Sequence, residues 1–250
     1  MGEKNVLASE FHANKTRVRE IIDRVKENGR VNLLGIEALK IVEAYGIPTP
    51  GCRFAETVDE AIEAASELGY PVVLKVSSPY ILHKTDVGGV KLDLRKPEEV
   101  KESFYEIIEN VKKLMPHAEI YGVEVHKMVP LGKEVIVGAH KDPQFGPLVM
   151  FGLGGIFVEF LKDVSFRLAP LTKRDAMEMV AETKTYTLLK GVRGEPPSDI
   201  DAIVNVILRI SQMVNDFKEI CELDINPLFV YKRGEGCLAL DARMTIAHAG

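Results

Sequence analysis

Leu34, Ala38, Ile41, Val42 and Tyr45 recur at the three- and four-residue spacing of one apolar helix face, and Gly46 with Pro48 marks its end. A charge-mixed segment before it predicts a helix around 16–26. Thr57 with Glu60 reads as a capping box opening a helix through Ala61, Ala64, Ala65 and Leu68 that closes at Gly69. Then the period changes. The β-branched run 71–76 predicts a strand ending near Lys75, the loop 77–89 follows, and 90–94 is a second strand. Val100, Phe104, Ile107, Ile108 and Val111 give a long amphipathic helix over 97–114. Strands are expected at 120–128, 134–140 and 147–151, with a hinge-like turn at Val129-Pro130-Leu131-Gly132 and a glycine cluster at 152–155. Thr172 and Asp175 open another helix, a proline- and glycine-bearing stretch covers 190–198, and Ile203, Ile207, Ile210 and Val214 form the buried side of a helix over 199–217. Two final strands, 220–231 and 237–242, are joined by a turn at 232–236. The pattern predicts an α+β fold with a helical extension over 1–30, a first lobe over 31–128 and a second over 129–250.

Composition narrows the class. A chain of 250 residues with 46% hydrophobic and 28% charged residues can bury a sizeable core. Its formal net charge of −5 argues against a surface that coats nucleic acid. Cys52, Cys221 and Cys237 are too scattered for a disulfide framework, which suits a reducing cytoplasm. No apolar run reaches the roughly 20 residues that span a bilayer, and residues 1–11 lack the apolar core of a secretion signal. A cytoplasmic protein without a membrane anchor is expected.

Common nucleotide motifs are missing. Gly132-Lys133 is followed by Glu134, so there is no P-loop, and Phe157 stands where a dinucleotide fingerprint needs its third glycine. There is no His-Glu-x-x-His, Gly-x-Ser-x-Gly or kinase His-Arg-Asp.

Chemistry concentrates elsewhere. Strand alternation puts Glu222, Asp224 and Asn226 on one face while Leu223 and Ile225 point inward. With the hairpin turn centred near Arg233-Gly234, Asn226 lies opposite Asp241 within about two residues of register. Two facing oxygen ligands suit Mg²⁺ with phosphates and water, or are the wet face of an edge hairpin. Lys75 at a strand end, followed by Gly88-Gly89, reads either as a point charge toward phosphate or as a lysine reaching solvent. His83, in mid-loop, reads as a metal ligand, a general base, a nucleophile or a surface residue. The cluster 151–156 is a phosphate cradle or a tight turn, and Arg167 reaches an anion or pairs with Asp163.

Taken in order, strand-end Lys75, a glycine loop, a hinge and an Asn226/Asp241 cation pair form the layout of ATP-grasp proteins, whose nucleotide lies between two α+β lobes. The strings 78–90, 142–147, 151–159 and 224–228 resemble the β subunit of ADP-forming acetyl-CoA synthetases, the acetate–CoA ligases related to succinyl-CoA synthetase. The similarity runs from about residue 31 to 245. The resemblance implies reversible conversion of acyl-CoA, ADP and phosphate to acid, CoA and ATP through a phosphohistidine relay. It makes His83 the histidine that carries phosphoryl to ADP and Asp224 the acid that orients it. It also implies Asn226 and Asp241 as Mg²⁺ ligands and Lys75 as the phosphate lysine; Gly88, Gly89 and Arg167, read from the residues themselves, complete the expected nucleotide-binding set. Glu134 would face the ribose side, and backbone groups of His126, Met128 and Val129 the adenine. It implies an α subunit carrying the CoA-binding domain and the first phosphohistidine, in an α2β2 heterotetramer. Two rival classes are an ATP-grasp carboxylate–amine ligase, which needs no histidine nucleophile, and a nucleotide-sensing module without turnover.

Overall fold

The computed structural model of the chain describes residues 11–81, 83–155, 163–192 and 194–248. Its elements fall into two compact units, one formed by Asn32–Glu37 with Pro50–Pro130, the other by the chain up to Val31, Ala38–Thr49 and the chain from Leu131 onward.

The first unit holds β1 (Cys52–Ala55), β2 (Val72–Ser77), β3 (Val90–Leu94) and β4 (Gly122–Lys127), paired in the order β1-β4-β2-β3. Helices α3 (Val58–Leu68) and α4 (Pro97–Leu114) contact each other and the sheet. The sheet is two-faced because its strands alternate. Val72, Leu74, Val76, Val123 and Val125 join Ala61, Ala65, Val100, Ile107 and Val111 in one buried cluster. The intervening residues Lys75, Ser77, Glu124 and His126 therefore share the opposite face. The capping box forms, with Glu60 N–H donating to Thr57 Oγ1 and Thr57 N–H to Glu60.

The second unit contains β5 (Lys133–Asp142), β6 (Gly146–Leu153), β7 (Val164–Leu168), β8 (Ile220–Val230), β9 (Cys237–Ala239) and β10 (Ala242–Ile246). The sheet order is β10-β8-β5-β6-β7, with β9 also on β8. Helix α5 (Lys173–Glu182) starts at Thr172 and Asp175 as expected, with a capping box between them, and packs on β7. It is followed by the short α6 (Thr185–Leu189), and α7 (Ile200–Asp216) crosses β5, β6 and β8.

Three features differ from the sequence expectation. β1 was not foreseen, since Cys52–Ala55 is too short to show a period. The last strand is split: Pro227 has no N–H for the ladder, so Asn226 N–H donates to Asp241 O and Leu240 N–H to Pro227 O around it, leaving β9 and β10 separate. Finally, α1 (Lys15–Glu27) and most of α2 (Gly35–Ala44) belong to the second unit, so the described part of the expected 1–30 extension is not separate and 38–49 is not part of the first lobe. Long-range contacts cause this. Asn14 N–H donates to Ala44 O, Arg209 Nη1 donates to Tyr45 O at 2.6 Å, and Ala239 N–H donates to Pro48 O.

Tyr45 ties this arrangement together. Its ring packs edge-on against Phe217, and its buried hydroxyl donates to Asp216 Oδ2 at 2.8 Å. Burial pushes the phenol well above its usual range, so it remains a donor at all working pH. Tyr45→Phe is expected to lower unfolding free energy by about 1–2 kcal/mol, read by denaturant titration, because Asp216 loses a partner in a part-buried place. Among the described residues, no helix is long and apolar enough to cross a membrane.

Candidate functional site

In the first unit, the segment between β2 and β3 is clamped at both ends. Ile81 and Val87 are buried in the helix-side core, while His83 between them is exposed. Val76 N–H donates to Gly89 O and Gly89 N–H to Lys84 O, both at 2.8 Å; Gly88 N–H donates to Thr85 O. Gly88 has φ +64°, and a Cβ at Gly89 would meet Val76 Cγ1 at 2.6 Å and Lys84 O at 2.8 Å. The sequence reading gave these glycines to phosphate approach. In the structure both N–H groups close the loop, and no side chain fits at Gly89. The result is an imidazole presented to solvent from a fixed base.

Lys75, half-buried in β2, lies in register with Glu124 of β4 and Val90 of β3. The nearby chain expected to meet adenine needs revision at His126. β4 is an interior strand, and His126 pairs in register with Cys52 on one side and Val73 on the other, so its backbone belongs to the ladder. Its side chain turns instead toward Glu124. Met128 N–H donates to Pro71 O, which leaves the Met128 carbonyl and Val129 as what this stretch can offer a ligand.

In the second unit the hairpin register sets the geometry. Leu228 pairs with Ala239 on one side of Pro227 and Ile225 with Ala242 on the other, which puts Asn226 opposite Asp241. Their backbones are joined by the Asn226 N–H to Asp241 O bond of 3.2 Å. Asn226 Oδ1 accepts Gly155 N–H at 3.0 Å and, as an amide oxygen, keeps a second lone pair. Asp241 Oδ1 accepts its neighbour's Ala242 N–H at 3.1 Å. This donor set, one amide oxygen and one carboxylate side by side, fits Mg²⁺. The glycine cluster packs against it. A Cβ on Gly154 would meet the Val135 backbone at 2.7 Å, Gly154 N–H donates to Glu134 O, and Glu134's carboxylate lies where a Cβ on Gly155 would be. So Gly154 and Gly155 bring Glu134 and Asn226 together, and both N–H groups are already used. The Ile156–Glu159 end of this string lies outside the described residues.

Asp224 sits two residues before Asn226 on β8, opposite Gly138 of β5 and Arg243 of β10. A Cβ at Gly138 would meet Asp224 Oδ1 at 2.5 Å, so the glycine makes room for the carboxyl. Burial, and then the charge of Glu222, push the Asp224 carboxyl above its ordinary range, against the opposing pull of Arg243 and His140. Arg167 behaves differently from both sequence readings. Its guanidinium pairs with Glu182 on α5, while Asp163 accepts the Lys184 and Thr185 N–H groups at 2.8 and 2.7 Å. Arg167 is thus a surface ion pair and is not carried into the site.

Residues 24–246 match a family model described as an ATP-grasp domain. The chain is 49% identical to the β subunit of ADP-forming acetate–CoA ligase II of Pyrococcus furiosus, across 93% of this chain and 99% of that one. It is 50% identical to the ADP-forming 4-hydroxybutyrate–CoA ligase of Nitrosopumilus maritimus across 94% of its own length, which is 34% of that longer protein. Among solved structures it is similar to an acetyl-coenzyme A synthetase 1 of Ca. Korarchaeum cryptofilum. A complex of that protein with coenzyme A and Ca-AMPCP superposes with TM-score 0.88 at 48% identity over 92% of this chain and 99% of that one. A complex with coenzyme A and Mg-AMPPCP, its phosphohistidine segment pointing towards the nucleotide binding site, gives TM-score 0.80 at 44% identity over 92% and 100%.

Proposed function

The chain belongs to the ATP-grasp family, among the β subunits of ADP-forming acetate–CoA ligases, and from that premise we propose that it binds ADP or ATP with Mg²⁺ and transfers phosphoryl through His83. The observation that carries this reading is the exposed imidazole held on a loop clamped by Ile81 and Val87. A histidine kept for packing would point inward with them. A neutral imidazole is a competent nucleophile near neutral pH, and a carboxylate on its other nitrogen fixes the tautomer. Asp224 takes that second role. Lys75 supplies a compact positive charge to the travelling phosphoryl, and Glu134 and the Met128–Val129 stretch hold the nucleoside. Asn226 and Asp241 hold Mg²⁺, which when bound neutralises phosphate charge. Transfer of this kind needs positioning and electrostatics more than covalent help from the protein.

The overall reaction is acyl-CoA, ADP and phosphate to acid, CoA and ATP, in either direction. The chain covers nearly all of the separate β subunits but about a third of the fused ligase. We assign the CoA-binding and first phosphohistidine functions to an α partner, in an α2β2 assembly in the cytoplasm. Purified chain mixed with acetyl-CoA, ADP, phosphate and Mg²⁺ is expected to make no ATP until an α subunit is added. ATP formation by the chain alone, or none with any copurifying α subunit, contradicts the proposal.

A further inference from the structure

The first unit carries a second constellation that the phosphoryl chemistry does not use. Cys52 of β1, Glu124 and His126 of β4 bring one sulfur, one oxygen and one nitrogen within 4.8 Å of one another. Cys52 Sγ lies 3.5 Å from His126 Nε2, and Glu124 Oε2 lies 3.3 Å from the same nitrogen. A tetrahedral Zn²⁺ with bonds of about 2.3 Å to sulfur and about 2.1 Å to nitrogen and oxygen requires ligand separations of about 3.6 and about 3.4 Å. Two edges of that tetrahedron are already built.

The surroundings hold the ligands in place. Glu124 is fully buried and His126 is 2% exposed. The carboxylate is oriented through its other oxygen: Ile36 N–H donates to Glu124 Oε1 at 3.0 Å and Ser77 Oγ at 3.2 Å, which turns Oε2 to the imidazole. Cys52 is half-buried, so the sulfur side gives an ion its way in and leaves a fourth position for water. A ring nitrogen has one in-plane hydrogen or one lone pair. A cation on the Nε2 lone pair is met by all three donors.

We infer that Cys52, Glu124 and His126 form a site for one divalent cation of the Zn²⁺ class. Thiolate and imidazole together select such an ion over Mg²⁺, which prefers oxygen. On binding, the Cys52 thiol releases its proton to solvent as the sulfur–metal bond forms, with no change in oxidation state. The site shares no residue with the Asn226–Asp241 pair and does not rest on the nucleotide reading.

The test uses the full untagged chain, reduced by a phosphine, with Mg²⁺ in excess. Titration with Co²⁺ is expected to give a sulfur-to-metal charge-transfer band and tetrahedral d–d bands that saturate at one equivalent, and one equivalent of Zn²⁺ is expected to erase them. Cys52→Ser is expected to remove the charge-transfer band and weaken Zn²⁺ binding roughly tenfold or more, while Cys221→Ser leaves both unchanged. His126→Gln is expected to abolish binding; should that variant not fold, Cys52→Ser decides alone. A wild-type chain without the band, or a band that survives Cys52→Ser, overturns the proposal.

Discussion

With His83 replaced by alanine, the chain assembled with its α partner is expected to lose ATP formation by about 10³-fold or more, because the covalent carrier of the phosphoryl group is gone. The fold should not notice. His83 is exposed on a loop whose anchors are Ile81, Val87 and the Gly89 hydrogen bonds, so the change in unfolding free energy should stay within about 0.5 kcal/mol. Nucleotide affinity should also persist, since Lys75, Asn226 and Asp241 remain. That combination of intact fold, intact binding and absent turnover separates the relay from both rivals. A carboxylate–amine ligase would keep its chemistry without His83, and a sensing module would have no turnover to lose. Steady-state ATP formation, a nucleotide titration and a thermal melt on one preparation suffice. Retained turnover would remove the relay.

Asp224→Asn should act in two opposite directions. The folded protein holds the Asp224 proton more tightly than the unfolded chain does, because burial and Glu222 disfavour the carboxylate. As pH rises through the ordinary carboxylate range, the unfolded chain ionises first, and stability falls until the folded carboxyl has also ionised. Asparagine, the same shape beside Gly138, cannot ionise. The variant should therefore melt at a higher temperature than the parent at pH 7, with the difference closing below the ordinary carboxylate range. Activity should fall by about 10²-fold or more, since an amide neither balances the charge of an imidazolium nor fixes the tautomer of His83. Gain of stability with loss of turnover marks a residue kept for chemistry at a cost to folding. Parallel melts across pH 3–8 and a kcat measurement check both signs. Equal melting curves, or unchanged turnover, would contradict the role given to Asp224.

What could be read in advance was mostly local. The capping box at Thr57, the helix start at Thr172, the helix faces and the Asn226/Asp241 register all depend on residues close in sequence or joined by one turn. What escaped depends on distance. Nothing in 35–49 announces that Tyr45 will reach Asp216 or that Pro48 O will meet Ala239 N–H, so α2 was placed in the wrong lobe. The glycines at 88–89 suggest close approach by a ligand, and those at 154–155 either a phosphate cradle or a tight turn. Their hydrogen bonds and missing Cβ space show that they close turns and seat Asn226. For Arg167 the sequence offers an anion or the near Asp163, whereas Glu182 on the next helix holds it. One signal could have been used. Val123-Glu124-Val125-His126 alternates strictly, and two ionisable residues on the second face of an interior strand point to a buried polar cluster. Cys52, on an unforeseen strand, completed it.

In the proposed relay everything depends on His83 carrying phosphate. Incubation of the chain with γ-labelled ATP and Mg²⁺, followed by alkaline digestion and peptide mapping, measures this directly. The expected result is one acid-labile, base-stable label on the peptide containing His83. Label on another residue, or an unlabelled chain that still turns over with its α subunit, would contradict it.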